Sequence, residues 1–135
     1  MKSFLMLGIV AISISLSLPV SASPLLDGYA QAAKAELSSF DGFSAERGRV
    51  LFNSTHTTGK VATPSCTSCH TADPKKVGHT RAGKEIAPMA FSISASRYND
   101  LKKAEKWFGR NCGSVLGRKC TAIEKGDFIT FMKTQ

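Results

Sequence analysis

The chain carries one Cys-x-x-Cys-His run, Cys66-Thr67-Ser68-Cys69-His70. This spacing is the attachment site of a c-type haem. Each thiol adds across one porphyrin vinyl group, and the adjoining imidazole ligates the iron from the proximal side. Three bonds to one rigid plane leave a small chain little choice but to wrap around a flat macrocycle. Two other uses of the motif fit less well. A zinc site needs two further ligands at finger-like spacing, and Cys112 and Cys120 lie far away without a histidine pair. A thioredoxin-type pair opens a helix after a buried strand, and Lys60-Val61-Ala62-Thr63-Pro64-Ser65 does not read as one.

The first residues point to export. Lys2 supplies a positive start, Phe4 to Val20 is apolar apart from serines, and Val20-Ser21-Ala22 ends in small residues of the kind a signal peptidase reads. The expectation is a signal peptide over residues 1–22, a mature domain over 23–135 beginning at Ser23, and a periplasmic location. An uncleaved anchor is the alternative, but the run is marginal in length for a membrane span. Export suits covalent haem attachment and permits disulfides.

The remaining 113 residues are enough for one domain. Lys2 is the signal's only charged residue, so the formal charge of +8 falls to +7 on its removal. Lys102, Lys103, Lys106, Arg110, Arg118, Lys119 and Lys125 crowd the last third. They are either a solvated face or a surface that steers an acidic partner. Nucleic acid fits the charge but not an exported haem protein.

The pattern is helix and loop. Leu25 to Leu37 is alanine-rich and helical, and Ser44 is placed to cap a helix over residues 45–52 on which Gly48 and Phe52 share a face. Residues 71–93, with Pro74, Gly78, Gly83 and Pro88, read as irregular. Asp100 is placed to cap a helix from Leu101 to Arg110, with Leu101, Ala104, Trp107 and Phe108 as its apolar stripe and Trp107 in the core. Thr121-Ala122-Ile123-Glu124 matches a capping box opening a last helix with Phe128, Phe131 and Met132. The early and last helices are expected to cross closely at Gly48.

The sixth iron ligand separates an electron carrier, with two strong ligands, from a small-molecule binder. The candidates are Met89, Met132, His56, His79 and the weaker donor Asn111. On residue chemistry Met89 ranks first, although it lies only 19 residues beyond His70. Without further information Asn111 reads as a helix C-terminal residue.

A family resemblance changes that order. Gly42-Phe43-Ser44-Ala45-Glu46-Arg47-Gly48 is followed by Pro64-Ser65 leading into the haem motif and Thr71-Ala72-Asp73-Pro74. Arg81-Ala82-Gly83-Lys84, Pro88-Met89-Ala90 and Glu105-Lys106-Trp107-Phe108 come next, the last leading to Asn111-Cys112. Leu116-Gly117-Arg118-Lys119-Cys120-Thr121 and Glu124-Lys125-Gly126-Asp127-Phe128 complete the set. From about Gly42 to Met132 the chain resembles the SHP-type (sphaeroides haem protein) high-spin monohaem cytochromes c. The Trp-Phe-x-Arg-Asn-Cys segment with a second cysteine eight residues on is the most specific part.

The resemblance implies an all-α, class I cytochrome c-like fold around one covalent haem c. It implies Asn111 as the distal ligand of the oxidised iron and a disulfide between Cys112 and Cys120. It also implies binding of oxygen and nitric oxide on reduction, with a dihaem cytochrome c and a membrane b-type cytochrome as redox partners. Met89 then becomes distal packing, and Arg81 and Lys84 are either partners of the propionates or solvated; Trp107, read as core, has contact with the haem edge or a propionate as its alternative. An oxygen donor suits ferric better than ferrous iron, so reduction is expected to release Asn111. The alternatives are a simple shuttle with His70 and Met89 as axial ligands, and an enzyme acting on oxygen, nitric oxide or hydroxylamine-like substrates. The last lacks an evident distal acid–base pair.

Overall fold

The computed structural model describes residues 23–135, so the expected export signal lies outside the described residues. Helix α1 (Pro24–Glu36) begins on a proline, whose missing N–H is harmless in a first turn, and buries Leu25, Tyr29 and Ala33 along one stripe. Helix α2 (Ala45–Asn53) starts where the sequence places it, with the Ser44 hydroxyl accepting the Arg47 amide at 3.2 Å. The haem motif forms the single turn α3 (Thr67–His70).

The stretch read as irregular contains a two-residue hairpin. Strands β1 (Gly78–His79) and β2 (Glu85–Ile86) run antiparallel, pairing Gly78 with Ile86 and His79 with Glu85. Strands this short leave no period-two pattern to read. A short α4 (Phe91–Ser94) and a 3-10 turn (Ala95–Tyr98) follow. The chain ends with α5 (Leu101–Val115) and α6 (Ala122–Lys133).

Helix α6 is the centre of the body. Ala122, Gly126, Asp127, Phe128, Ile129, Phe131 and Met132 are all buried, so it is covered on most of its circumference. Its start is the expected capping box: Thr121 Oγ1 accepts the Glu124 amide at 3.1 Å and Glu124 Oε2 accepts the Thr121 amide at 2.9 Å. Helices α1 and α2 both pack on it. At the α2 crossing a Cβ on Gly48 would lie 2.1 Å from the Asp127 carbonyl oxygen and 2.9 Å from Phe131 Cβ. The ring of Phe52, fully buried, meets Phe128 and Phe131 at centroid distances of 6.0 and 5.9 Å. Asp127, 3 % exposed, locks this crossing by accepting the Ser44 amide at 2.7 Å and the Arg47 guanidinium at 2.7 and 2.9 Å.

Helix α5 departs from expectation in two ways. It continues five residues past Arg110 to Val115, so Asn111 is inside the helix rather than at its C-terminus. The polar segment stays helical because its last carbonyls are capped from outside. Lys60 donates its amide to Ser114 O at 2.7 Å, and Thr58 donates its hydroxyl to Leu116 O at 2.7 Å. The chain then turns at Gly117, whose φ of +69° and close approach to the Thr58 carbonyl suit only glycine. Second, the stripe of α5 is not a closed core. Leu101 is 55 % and Trp107 44 % exposed. The cause is that α5 does not pack closely along α2 or α6 but stands across a cavity from them, into which Trp107 faces.

Gly48→Ala is expected to cost about 1–3 kcal/mol, since backbone rather than a mobile side chain blocks the methyl group; urea unfolding of the haem protein measures it, and an unchanged midpoint would contradict the crossing. A second expectation concerns acid. Hydrogen bonds from Arg118 hold the Glu124 carboxyl below the usual carboxylate range against the opposing effect of burial, with the Thr121 amide assisting. A depressed carboxylate contributes stability above its unfolded pKa and loses it as pH falls through the folded value. Glu124→Gln is therefore expected to flatten the acid limb of melting temperature against pH and to converge with wild type at the acid end. Parallel curves would contradict it.

Candidate haem site

The motif is tied to the body before it reaches the site. Ser65, 7 % exposed, donates its hydroxyl to Phe52 O at the end of α2 and accepts the Thr67 amide, both at 3.2 Å. The α3 turn that follows packs against β1. It stops at Thr71, a β-branched residue at φ 61°, where a left-handed backbone costs of order 1–3 kcal/mol. That break lies directly after His70 and ends the turn with the imidazole facing inward.

A cavity of about 440 Å³ lies between α3, the hairpin, α5 and α6, within the range of about 300–1,000 Å³ for cofactor sites. Cys66, Cys69 and His70 line it from α3. Leu51, Met89, Phe128 and Ile129 give it apolar walls, and Thr80, Lys84, Glu85, Arg97 and Tyr98 give it a polar end. From α5 it receives Lys103, Ala104, Trp107, Phe108, Asn111 and Cys112. Those residues fall three, four or one apart, so they form a single helical face.

The donors suit a haem. Burial, with the charge of Arg97 adding to it, pushes the His70 imidazole down to about 4, so the ring is neutral and able to ligate. Its Nδ1 is buried without a hydrogen-bond partner. Burial pushes the Cys66 thiol up to about 11. Cys66 and Cys69 are not bonded to each other. Among the described residues no three His, Cys, Asp or Glu side chains converge as a separate metal site would require.

Of the distal candidates, Asn111 and Met89 line the cavity. Met132 is fully buried in the core cluster, the His56 ring lies 3.2 Å from the Leu51 carbonyl, and His79 is exposed on β1. Met89 is 7 % exposed, with its amide donating to Pro74 O at 2.8 Å and its carbonyl accepting from the Tyr98 hydroxyl. Asn111 is exposed where it lines the cavity. The Sγ atoms of Cys112 and Cys120 are 2.02 Å apart, one residue from it. Trp107 lies at the cavity wall with the Arg110 guanidinium 5.6 Å from its ring centre. Lys84 lines the cavity and Arg81 does not. Sequence reasoning missed Arg97, Tyr98 and Lys103, since only the fold of residues 95–103 brings them to the site.

A family model described as "Domain of unknown function (DUF1924)" matches residues 38–132. The chain is 47 % identical over 135 residues, 100 % of both chains, to the cytochrome c-type protein SHP of Cereibacter sphaeroides. Its fold is similar to that of oxidised SHP, described as an oxygen-binding cytochrome c, with a TM-score of 0.75 and 50 % identity over 82 % of this chain and 94 % of that one. It is also similar to the solution structure of Methylophilus methylotrophus cytochrome c'', described in terms of haem-ligand detachment, with a TM-score of 0.69 and 31 % identity over 82 % of this chain and 90 % of that one. Covalent attachment through Cys66 and Cys69 thus agrees with both the cavity and the relatives. The chain belongs to the family of SHP-type monohaem cytochromes c, with an all-α cytochrome c-like fold and covalently bound haem c.

Proposed function

We propose that the protein is a redox-gated binder of small diatomic ligands that also exchanges electrons. Haem, when bound, would supply a one-electron couple and iron able to take a further ligand. His70 would hold it through the imidazole. The carboxamide oxygen of Asn111 would ligate the oxidised iron and be released on reduction, because a neutral hard donor holds ferric iron better than ferrous, leaving room for oxygen or nitric oxide.

The observation that carries this reading is the position of Asn111 within α5, on the face that lines the cavity. Inside a helix it is not the C-terminal cap that the sequence alone would suggest. The oxygen-binding description of SHP and the ligand-detachment description of cytochrome c'' support the same scheme. A disulfide between Cys112 and Cys120 fixes the chain just beyond Asn111, so the side chain moves while the backbone stays. Met89 packs the distal wall, as its buried backbone hydrogen bonds suggest. Its thioether also lines the cavity, which keeps a His70/Met89 electron shuttle as the alternative.

In this scheme the protein works in the periplasm after removal of residues 1–22. No helix of the described residues is long and apolar enough to cross a membrane. Lys102, Lys103 and Lys106 form no ion pair among the described residues, whereas Lys125 is held by Glu105 and Arg118 by Glu124. The free lysines on α5 are suited to steer an acidic redox partner. A dihaem cytochrome c and a membrane b-type cytochrome are the proposed partners.

Asn111→Ala is expected to keep the haem attached while the optical and EPR spectra of the oxidised form lose the signature of an oxygen ligand. Oxidised protein should bind cyanide about tenfold tighter or more, the effect of removing a competing ligand worth about 1.4 kcal/mol. Unchanged spectra and affinity would rule Asn111 out. A far-red sulfur-to-iron band in the wild-type oxidised protein would establish the shuttle instead.

A further inference from the structure

Arg97 stands at the polar end of the cavity without an anion. Its Nη2 donates to the Ala87 carbonyl at 2.9 Å, which pins one arm of the guanidinium to the end of β2. Its Nε is buried and has no hydrogen-bond partner. Among the described residues no carboxylate forms an ion pair with it. Glu85, the acidic residue that shares the cavity wall, makes no such contact. A shielded N–H of a permanent cation, left without an acceptor, is costly unless an anion arrives from elsewhere. Haem c brings two carboxylates into this cavity, and a guanidinium fork is shaped to receive one.

We propose that Arg97, with Lys84 lining the same cavity, holds a haem propionate, and that this contact raises the reduction potential of the protein. Arg81, which the sequence offers for this role, does not line the cavity. Thr80, Lys84, Glu85, Arg97 and Tyr98 line the cavity together with the apolar Ile86, Ala87 and Met89, and a propionate held by Arg97 would turn that edge of the haem toward residues 80–98. Reduction adds one electron near a pinned, half-buried cation, whose charge is screened less than one fully at the surface. Besides Arg97 and Lys84, the ionisable groups on the cavity wall are His70, Glu85, Tyr98 and Lys103, with Cys66 and Cys69 taken up by the haem; all are retained in the variants below.

Potentiometric titration of the holoprotein tests this. Arg97→Leu is expected to shift the midpoint potential downward, Arg97→Lys to restore most of it, and Arg81→Leu to leave it unchanged. A merely structural Arg97 would lower the melting temperature without moving the potential. An unchanged potential in Arg97→Leu, or an equal shift in Arg81→Leu, would overturn the proposal. If Arg97→Leu fails to mature, Arg97→Gln serves in the titration. Resonance Raman spectra of the wild-type protein give a second reading: propionate bending modes at hydrogen-bonded positions support the contact, and modes at free positions overturn it. These readouts do not depend on which residue is the distal ligand, so they fail separately from the gating scheme.

Discussion

Covalent haem c ties this chain to a rigid plane at the Cys66–His70 motif, and the remaining elements stand around the cavity that the motif lines. Helices α1, α2 and α6 form a body whose contacts are internal and tight, locked where Gly48 meets the Asp127 backbone and where buried Asp127 gathers Ser44 and Arg47. Ser65 joins the motif to the end of α2. The body therefore fixes the motif, and His70 with it.

Helix α5 is held differently. The Asp100 carboxylate accepts the Lys103 amide at 2.9 Å at its start. Near its middle, Glu105 accepts from the Tyr29 hydroxyl at 2.5 Å and from Lys125 at 2.9 Å, tying it to α1 and α6. Phe108 meets Tyr29 and Phe128 edge-on at 6.1 and 5.5 Å. The loop at residues 58–60 clamps its end. Asn111 lies between the Phe108 contacts and that clamp, on the side facing the cavity. A side chain on a helix anchored both before and after it is able to swing without carrying the helix along. That combination suits a weak ligand better than a loop would, since a loop ligand would have to order its backbone on each return.

Local chemistry made much of this legible. The Ser44, Asp100 and Thr121 caps all form because a side-chain oxygen three residues before a free amide has one obvious partner. The Gly48 crossing followed from a glycine and a phenylalanine one turn apart. What could not be read depends on contacts distant in sequence. The extension of α5 past Arg110 rests on amides and hydroxyls some fifty residues upstream, and helix propensity alone points the other way at Asn111 and Gly113. Trp107 reads as core from its spacing, but the stripe it completes faces a cofactor cavity rather than another helix. Arg97 carries no motif, and only the fold of residues 87–97 pins its guanidinium at the cavity. The proposed distal ligand, Asn111, comes from the family resemblance, because residue chemistry alone favours Met89.

X-ray absorption at the iron edge, recorded on the oxidised and reduced protein in solution, tests the central claim most directly. The account predicts nitrogen and oxygen scatterers in the first shell of the oxidised form, no sulfur in either state, and the loss of one light scatterer on reduction. A sulfur scatterer present in both states would contradict it and identify Met89 as a permanent ligand.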